Sequence, residues 1–505
     1  MKKTKFLSFL LVLCLALALI APLALAEEPE QGEGEGGLTE EFIEAVPPSA
    51  TPAPEGEPLE GPELTAKSVY LVDLDSGYPL YALDRDTPRS PASLTKVMTI
   101  LLTLEAVENG EARMDDTVTA GLDCQNGMSD DSSSVYIVAG EEMSLRDLIY
   151  CAAVSSGNDA CNVIASYLGN GIPNFVERMN ARAAELGCRY THFVDPNGLS
   201  SDNLTCAYDL YLITRAALEH PDFMEICDTT SYTVSPTNLN SRPRELKNSN
   251  ALISTEGIYG DQYLYQGAHG IKTGFTRAAG YCLISTAERN DMRLLAIVMG
   301  CDGAYLSDTD LRYNFVDTAI LYDWAFANFI PRTIIAEGEV LDYVDVDLAE
   351  GNARVGLKPL TGVSIPLPAN VPPGEEEIEI LLYDEPLTAP IEVGSVLGEA
   401  KVKYNGNALV SVRLVASGSV DLNRWEYFKQ RIFAFLSQKE VIIVVVAIGV
   451  LLLTYLALVT RYRLLRRKHL KQRKLAEKRR RELAIQRAQE AARAENGSPF
   501  EHDLF

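Results

Sequence analysis

The sequence predicts an α/β (α+β) protein whose main sheet is antiparallel, followed by a small all-β domain and one transmembrane helix. Between residues 64 and 330, strand-like runs stand at both ends of a long helical middle, which is typical of an antiparallel sheet with helices packed on it. Residues 331–422 consist of short alternating runs separated by Gly and Pro, which predict strands. Residues 441–460 carry no charge and are long enough to cross a bilayer as a helix.

The charge of the whole chain excludes several classes of function. Its 505 residues include 45 Lys and Arg against 70 Asp and Glu, a formal net charge of −25, which argues against a nucleic-acid-binding protein. The five histidines are scattered singly, and no Cys and His residues have the spacing that metals need. We therefore expect neither a metal site nor a cofactor.

The N-terminus has the composition of a secretory signal. Three lysines among the first five residues precede an apolar run over residues 6–25, which ends in small residues. This order predicts a signal peptide over residues 1–26, with an uncleaved membrane anchor as the alternative. Residues 27–63 are rich in Glu, Pro and Gly and predict a flexible acidic linker.

The C-terminal part predicts a membrane anchor with a defined orientation. Residues 423–440 carry aromatic side chains at helical spacing among basic residues, as in an amphipathic juxtamembrane helix. A basic, helix-favouring tail over residues 461–505 follows the uncharged span 441–460, and the positive-inside rule places this tail in the cytoplasm. The acidic middle of the chain is then extracytoplasmic, on a single-pass protein of the cell membrane. We expect the basic residues of the tail to lie against anionic lipid headgroups. A buried core helix is the alternative for the span.

The cysteines leave two interpretations open. One of the nine lies in the predicted signal peptide, and the other eight lie between Cys124 and Cys301. Export permits disulfides among them. Residues such as Cys151 and Cys282 instead stand in apolar runs, as small buried hydrophobic residues do. No pairing can be assigned from the sequence.

Ser93 and Lys96 form the first of three short motifs that can carry chemistry. They stand at the start of a helical pattern, where residues three apart share a face, so the two side chains can meet. A serine hydroxyl becomes a nucleophile when a base takes its proton, and a lysine can do this if burial or a nearby cation lowers its pKa. Unpaired backbone N–H groups at the helix start can stabilise an oxyanion beside Ser93.

The other two motifs are Ser-Gly-Asn at residues 156–158 and Lys-Thr-Gly at residues 272–274. In the first, the hydroxyl can relay a proton and the amide can orient a substrate carbonyl or a lysine. In the second, the lysine and threonine can hold a carboxylate, and the lysine would be a second cation that helps to keep Lys96 neutral. On an edge strand, Gly274 would let a substrate backbone approach closely. Each tripeptide alone is more often an ordinary loop or strand.

Together, in this order, the three motifs resemble the set shared by penicillin-recognising serine acyltransferases. The stretches SPASLTKVMT, LRDLIYCAAVSSGNDA, THFVDPNGLS and HGIKTGFTRAAGYCLISTAER resemble serine-type D-alanyl-D-alanine carboxypeptidases, the low-molecular-mass penicillin-binding proteins. The stretch APIEVGSVLGEAKVKYNG resembles, more weakly, the β-rich C-terminal domain of that family. The resemblance implies a penicillin-recognising serine transpeptidase/β-lactamase-like fold for the catalytic domain, residues 64–330.

The resemblance also implies a catalytic role for each residue that matches the motifs. Ser93 would attack the carbonyl between two terminal D-alanines and become acylated, with Lys96 as the general base. Ser156 would pass a proton toward the departing amine, and water would then release the shortened peptide. The backbone N–H groups of Ser93 and Phe275 would form the oxyanion hole. Penicillins would acylate the same serine and leave slowly.

Six residues are predicted to bind substrate. By the resemblance, Asn158 contacts the substrate amide and the lysines, and Lys272 and Thr273 bind the terminal carboxylate. Arg277 is expected to add positive charge for that carboxylate, and the other two are Gly274 and Phe275. The Asp-Pro-Asn-Gly sequence at residues 195–198 has the composition of a turn, and no deacylating base can be placed there.

The sequence therefore predicts a membrane-anchored carboxypeptidase that acts on peptidoglycan stem pentapeptides and is inhibited by β-lactams. Three alternatives stay open: a D,D-endopeptidase that cuts cross-links, a serine β-lactamase, and a non-catalytic penicillin-binding sensor or scaffold. The Ser-Gly-Asn triplet, the β-rich domain and the anchor argue against the β-lactamase, and the complete motif set argues against the sensor. The oligomeric state stays open.

Overall fold

The computed structural model describes residues 59–257, 259–306, 310–351, 353–370, 372, 374, 376–404 and 407–495. The predicted signal peptide, most of the predicted acidic linker and the last ten residues of the predicted tail lie outside the described residues. The described chain up to residue 346 forms one compact unit together with residues 353–420. Residues 347–351 and those from 421 onward belong to a second unit.

A five-stranded antiparallel sheet lies at the centre of the first unit. The strands as far as residue 301 are β1 (Ser68–Asp73), β2 (Pro79–Leu83), β3 (Thr117–Thr119), β4 (Glu142–Ser144), β5 (Ser231–Val234), β6 (Arg244–Lys247), β7 (Ala268–Thr276), β8 (Gly280–Arg289) and β9 (Met292–Cys301). The order of the central sheet is β2-β1-β9-β8-β7, so β7 is an edge strand. Strands β1, β8 and β9 are buried almost throughout, and their sequences are correspondingly near-continuous apolar runs.

The helical middle of the sequence stands, in chain order, between β2 and β7 of this sheet. Its helices are α1 (Lys96–Glu108), α2 (Leu145–Ala153), α3 (Asn158–Gly169), α4 (Ile172–Glu185), α5 (Ala207–Leu218) and α6 (Pro221–Cys227), and α7 (Tyr313–Asn328) follows β9. Helix α1 is buried along most of its length and contacts both α3 and α5. Ser144 caps α2, because its hydroxyl accepts a hydrogen bond from the backbone N–H of Asp147 at 3.0 Å. The predicted combination of helices with an antiparallel sheet is confirmed.

A group of strands with its own apolar core follows α7. The strands are β10 (Phe329–Ile335), β11 (Asp342–Asp347), β12 (Arg354–Pro359), β13 (Val363–Pro368), β14 (Glu376–Leu382), β15 (Leu387–Thr388), β16 (Val396–Tyr404) and β17 (Asn407–Ala416). Strand β10 pairs with β13, and the other strands form a six-stranded sheet in the order β14-β16-β17-β12-β11-β15. Leu357, Ile365, Val402 and Leu414 are fully buried in this part. The prediction of an all-β fold here is confirmed.

The second unit consists mainly of two helices, α8 (Arg424–Leu436) and α9 (Lys439–Glu495). The side chain of Asn423 caps α8 by accepting hydrogen bonds from two backbone N–H groups, and none of the helix's own residues is buried. Helix α9 contains a window with a mean hydropathy of 3.0 and is the one described helix long and apolar enough to cross a membrane. The predicted span lies near its start, and the predicted tail continues the same helix as far as Glu495.

The eight described cysteines are all unpaired. The disulfide interpretation is therefore wrong, and the alternative, that these cysteines are small core residues, describes them. Seven of them are buried, and Cys188 is partly buried. Because the surroundings are apolar, burial raises the pKa of the Cys161 thiol to about 11 and that of Cys227 to about 12.

Candidate active site

Ser93 lies in a short 3-10 helix, Ala92–Thr95, that leads into α1. The sequence pattern predicted the start of an α-helix here. The tighter 3-10 turn that the structure has instead brings the side chains of Ser93 and Lys96 close together. In a 3-10 helix, side chains three apart eclipse each other, so Lys96 Nζ lies 2.8 Å from Ser93 Oγ. Ala92 has a φ of +49°, a left-handed conformation that alanine rarely adopts. Such strain persists only where the surroundings enforce it, and it is common beside reactive groups.

Lys96 is fully buried, and its amine has three partners. Nζ lies 2.8 Å from Ser93 Oγ, 2.7 Å from Asn158 Oδ1 and 2.7 Å from the carbonyl oxygen of Asn197. Burial lowers the pKa of Lys96. The amide and carbonyl oxygens can only accept, whereas a hydroxyl can also donate. A neutral Lys96 therefore donates its two hydrogens to Asn158 and Asn197 and directs its lone pair at the hydroxyl of Ser93.

The second motif lies in the turn before α3 and at its first residue. Ser156 has a φ of +58° and is 6% exposed, and Asn158 is buried. The Asn158 side chain reaches Lys96, so the structure brings the first two motifs together by a direct hydrogen bond.

The third motif lies on the edge strand β7, as the sequence analysis expected. Lys272 is buried, and its Nζ donates to the carbonyl oxygen of Thr273 at 3.2 Å. Burial, and then the neighbouring amine of Lys96, lower the pKa of Lys272 to about 7. The sequence suggested the opposite influence, of Lys272 on Lys96, whereas the pKa of Lys96 is lowered by burial. Thr273 Oγ1 lies 2.6 Å from the hydroxyl of Ser249, which is exposed.

Gly274 has a structural role that the sequence did not suggest. A Cβ atom at this position would lie 3.0 Å from the carbonyl oxygen of Pro91 and 3.3 Å from the backbone nitrogen of Ser93. Strand β7 therefore runs directly against the turn that carries Ser93, and the missing side chain permits that approach. The glycine serves contact between two parts of the protein, in addition to any room that it leaves for a substrate.

Phe275 and Arg277 lie at and beyond the end of β7. The Phe275 ring stacks on Tyr281 with a centroid distance of 4.2 Å. Arg277 is exposed and follows the strand. A hydrogen bond from Ser129, and to a lesser extent the positive charge of Arg277, lower the pKa of Asp131. Arg277 is therefore near Asp131, on a different loop.

Three groups in or beside the site were not predicted from the sequence. The first is the backbone carbonyl of Asn197, which accepts from Lys96 and has no sequence signature of its own. Its turn is fixed by Asp195, whose carboxylate accepts from the backbone N–H of Asn197 and of Gly198. The second is Ser249, beside Thr273, and the third is the buried carboxylate of Asp159, which directly follows the second motif. The composition of a turn at residues 195–198 was the only available signal.

The described residues contain no group of three His, Cys, Asp or Glu side chains that could hold a metal ion.

Comparisons with known proteins identify the family. The profile of the D-alanyl-D-alanine carboxypeptidase family matches residues 55–303, and that of the C-terminal domain of penicillin-binding protein 5 matches residues 329–422. The D-alanyl-D-alanine carboxypeptidase DacA of Haemophilus influenzae is 30% identical over 362 residues, which cover 71% of this chain and 86% of the relative. The chain belongs to the D-alanyl-D-alanine carboxypeptidase family. The resemblance drawn from the motifs is thereby confirmed, and the chain is a serine-type peptidase.

A solved structure and a second relative extend the comparison. Penicillin-binding protein 5 of Haemophilus influenzae superposes with a TM-score of 0.59 at 29% identity, over 72% of this chain and 99% of that one. The D-alanyl-D-alanine endopeptidase of Escherichia coli is 29% identical over 263 residues, which cover 52% of this chain and 78% of the relative. The superposition on penicillin-binding protein 5 and the two profile matches together confirm the predicted fold class.

Proposed function

We propose that this carboxypeptidase removes the terminal D-alanine from peptidoglycan stem pentapeptides through an acyl-enzyme on Ser93. The observation that carries the proposal is the position of Lys96 Nζ, 2.8 Å from Ser93 Oγ and held by two groups that can only accept hydrogen bonds. This is the geometry that a buried neutral amine needs to take the proton of a serine hydroxyl.

The residues around Ser93 support a two-step acyl transfer. Ser93 Oγ attacks the carbonyl carbon between the two D-alanines while its proton passes to Lys96. The backbone N–H groups of Ser93 and Phe275 stabilise the oxyanion. The proton then passes, with Ser156 as relay, to the nitrogen of the departing D-alanine, and the C–N bond breaks. A water molecule attacks the ester, which returns the hydroxyl of Ser93 and frees the shortened peptide.

The binding of the terminal carboxylate is assigned to the end of β7. The buried amine of Lys272 and the paired hydroxyls of Thr273 and Ser249 would donate hydrogen bonds to this carboxylate. Arg277 adds charge at the exposed end of the strand, and Asn158 holds the substrate amide on the other side of Ser93. β-Lactam antibiotics present a carboxylate and a strained amide to the same groups and would acylate Ser93.

An endopeptidase that cuts cross-links is the second candidate, because one relative carries that name. Its match covers 52% of this chain, whereas the match to the carboxypeptidase DacA covers 71%. The second profile match, to residues 329–422, is likewise to a domain of penicillin-binding protein 5. These matches favour the carboxypeptidase.

We also propose that the chain is a single-pass membrane protein with its catalytic domain outside the cytoplasm. The apolar part of α9 supports a membrane anchor, and the excess of basic residues after it supports a cytoplasmic tail that contacts anionic lipid headgroups. Protease treatment of intact spheroplasts should then leave the tail uncut, and treatment of inverted vesicles should remove it. A tail that is removed in intact spheroplasts would contradict this orientation.

The test of the catalytic assignment is covalent labelling of the full-length protein in detergent with a fluorescent penicillin. We expect one label per chain, on the peptide that contains Ser93, and no label in Ser93→Ala. The exposed Ser201 is a matched control, and Ser201→Ala should be labelled like the wild type. Labelling that persists in Ser93→Ala would overturn the assignment.

A further inference from the structure

Helix α3 carries two buried asparagines one turn apart, Asn158 and Asn162. Residues four apart lie on one face of a helix. Asn158 Oδ1 lies 2.7 Å from Lys96 Nζ. Asn162 Oδ1 accepts a hydrogen bond from Asn197 Nδ2 at 2.9 Å, and the backbone carbonyl of Asn197 accepts from Lys96 at 2.7 Å. The two asparagines thus reach the same amine, one directly and the other through Asn197.

The partners of Asn162 and Asn197 leave one orientation for each side-chain amide. Asn197 Oδ1 accepts from the backbone N–H of Leu199 at 3.1 Å, so its NH2 group faces Asn162. Asn162 Nδ2 donates to the carbonyl oxygens of Cys124 and Asn126, at 3.0 Å each. The oxygen of Asn162 is then the atom that meets Asn197. A buried network that is satisfied in this way specifies one geometry.

The turn that carries Asn197 also touches the segment of the nucleophile. A Cβ atom at Gly198 would overlap the backbone carbonyl of Ala92, so the backbones of these two residues are in direct contact. Ala92 immediately precedes Ser93. A shift of the turn would therefore be felt both by Ser93 and, through the carbonyl of Asn197, by its base.

Three kinds of hydrogen bond hold this turn. The carboxylate of Asp195 accepts from backbone N–H groups within the turn and fixes its shape. Thr99 Oγ1, on α1, donates to the carbonyl oxygen of Pro196 at 2.6 Å. Asn162 supplies the bond to α3, the helix that begins with Asn158. Without this bond the turn would keep its shape and its attachment to α1, but its position relative to α3 would be less tightly fixed.

We propose that Asn162 is a positioning residue for the base of the acyl transfer. It holds the carbonyl of Asn197 where that oxygen takes one hydrogen of Lys96, and so keeps the lone pair of the amine directed at Ser93. The inference rests on the role of Lys96 in the proposed function. Because Asn162 acts on the base, its loss should slow the acylation step and leave the reversible binding of the ligand unchanged.

The test measures the affinity for a fluorescent penicillin before acylation and the rate constant of acylation separately, with the full-length protein in detergent. Asn162→Ala should lower the rate constant about tenfold at unchanged affinity. Asn197→Ala keeps the backbone carbonyl and breaks the same bond from its other end, so it should have the same effect. It leaves α3 untouched, so it tests the bond even if Asn162→Ala folds poorly.

The double variant Asn162→Ala/Asn197→Ala separates this role from a merely structural one. If the two residues act through one bond, the double variant should be no slower than either single variant, whereas independent effects would make it about a hundredfold slower. Asn180→Ala is the matched control. Asn180, on α4, donates to the carbonyl oxygens of Val176 and Phe193 at 3.0 and 2.8 Å. Its loss should lower the stability to urea and leave the acylation rate constant unchanged.

The outcomes distinguish this proposal from the proposed function. An acylation rate constant that stays at the wild-type value in Asn162→Ala, a loss confined to affinity, or independent effects in the double variant would overturn the role of Asn162. D-Alanine release is measured separately. Absent release, with Ser93 still acylated and the two asparagines still coupled, would refute the proposed function and leave the role of Asn162 standing.

Discussion

Lys96 Nζ and Asn158 Oδ1 lie 2.7 Å apart although 62 positions separate them in the chain. This hydrogen bond joins α1, which directly follows the short helix of the nucleophile Ser93, to α3, which begins at the second motif. It occupies one hydrogen of the amine, and the carbonyl of Asn197 occupies another. The orientation of Lys96 toward Ser93 is therefore imposed by two groups that are distant in the sequence.

Asn158→Ala should slow the acylation of Ser93 by penicillin about a hundredfold, because Lys96 loses the group that orients it. Asn158→Asp should place a carboxylate at hydrogen-bond distance from the amine and raise the pKa of Lys96. In a plot of the acylation rate against pH, the rise of the rate on the acidic side should then move to higher pH. Stopped-flow or quenched labelling over a pH series measures both effects.

The control for these two variants is Asn174→Ala, which removes an exposed asparagine on α4. It should be acylated at the wild-type rate. An unchanged pH profile in Asn158→Asp would contradict the assignment of Lys96 as the base.

Gly274→Ala should lower both the stability and the acylation rate of the enzyme. The added methyl group would lie 3.0 Å from the carbonyl oxygen of Pro91 and 3.3 Å from the nitrogen of Ser93, so β7 or the turn must move. Overpacking of this kind costs about 1–3 kcal/mol. Gly418→Ala is the matched control, because a Cβ there meets no atom within 4 Å. Urea unfolding measures the stability of each variant, and penicillin labelling measures its acylation rate. A Gly274→Ala variant with the stability and acylation rate of the wild type would refute the close contact between β7 and the turn of Ser93.

Lys272 should make the folded protein less stable at neutral pH than an apolar residue would. Its pKa falls from 10.5 to about 7 on folding, so between these values the unfolded chain holds a proton that the folded chain has released. Stability from this group therefore rises with pH above about 7. Lys272→Met should be more stable than the wild type at pH 7, by up to about 4 kcal/mol, and inactive.

The pH dependence of the unfolding free energy distinguishes the lowered pKa of Lys272 from a simple packing effect. The stability difference between Lys272→Met and the wild type should shrink by about 1.5 kcal/mol from pH 7 to about 8.5. Urea unfolding at several pH values measures it. A difference that stays constant with pH would show that Lys272 keeps its ordinary pKa.

The cysteines should behave as buried thiols. Under native conditions we expect little reaction with an alkylating reagent, and under denaturing conditions without reductant we expect every described cysteine to react. Mass spectrometry counts the modified residues. Cysteines that react only after reduction would show disulfides and contradict the structure.

The sequence predicted those parts of the site that depend on local spacing. Ser93 and Lys96 are three residues apart at a helix start, so the helical pattern alone predicted that their side chains meet. The carbonyl of Asn197 could not be predicted, because a backbone group carries no side-chain signal and its position depends on a turn fixed by Asp195. The contact of Ser249 with Thr273 also depends on tertiary packing, which composition and periodicity do not contain.

For the cysteines and for Gly274, the structure adds neighbours that local composition does not contain. Export permits disulfides, but the described cysteines are unpaired and lie within a core large enough to be stable without them. Gly274 was interpreted through a substrate, and in the structure its nearest atoms belong to the turn of Ser93. In both cases the deciding neighbours come from other parts of the chain.

The most direct test of the account is D-alanine release from a soluble pentapeptide that ends in D-alanyl-D-alanine, with the full-length protein in detergent. Ser93→Ala and a penicillin-treated sample are measured beside the wild type. The account predicts steady release by the wild type and none in either control. Release that continues in Ser93→Ala, or a wild type that binds penicillin at Ser93 but releases no D-alanine, would contradict it.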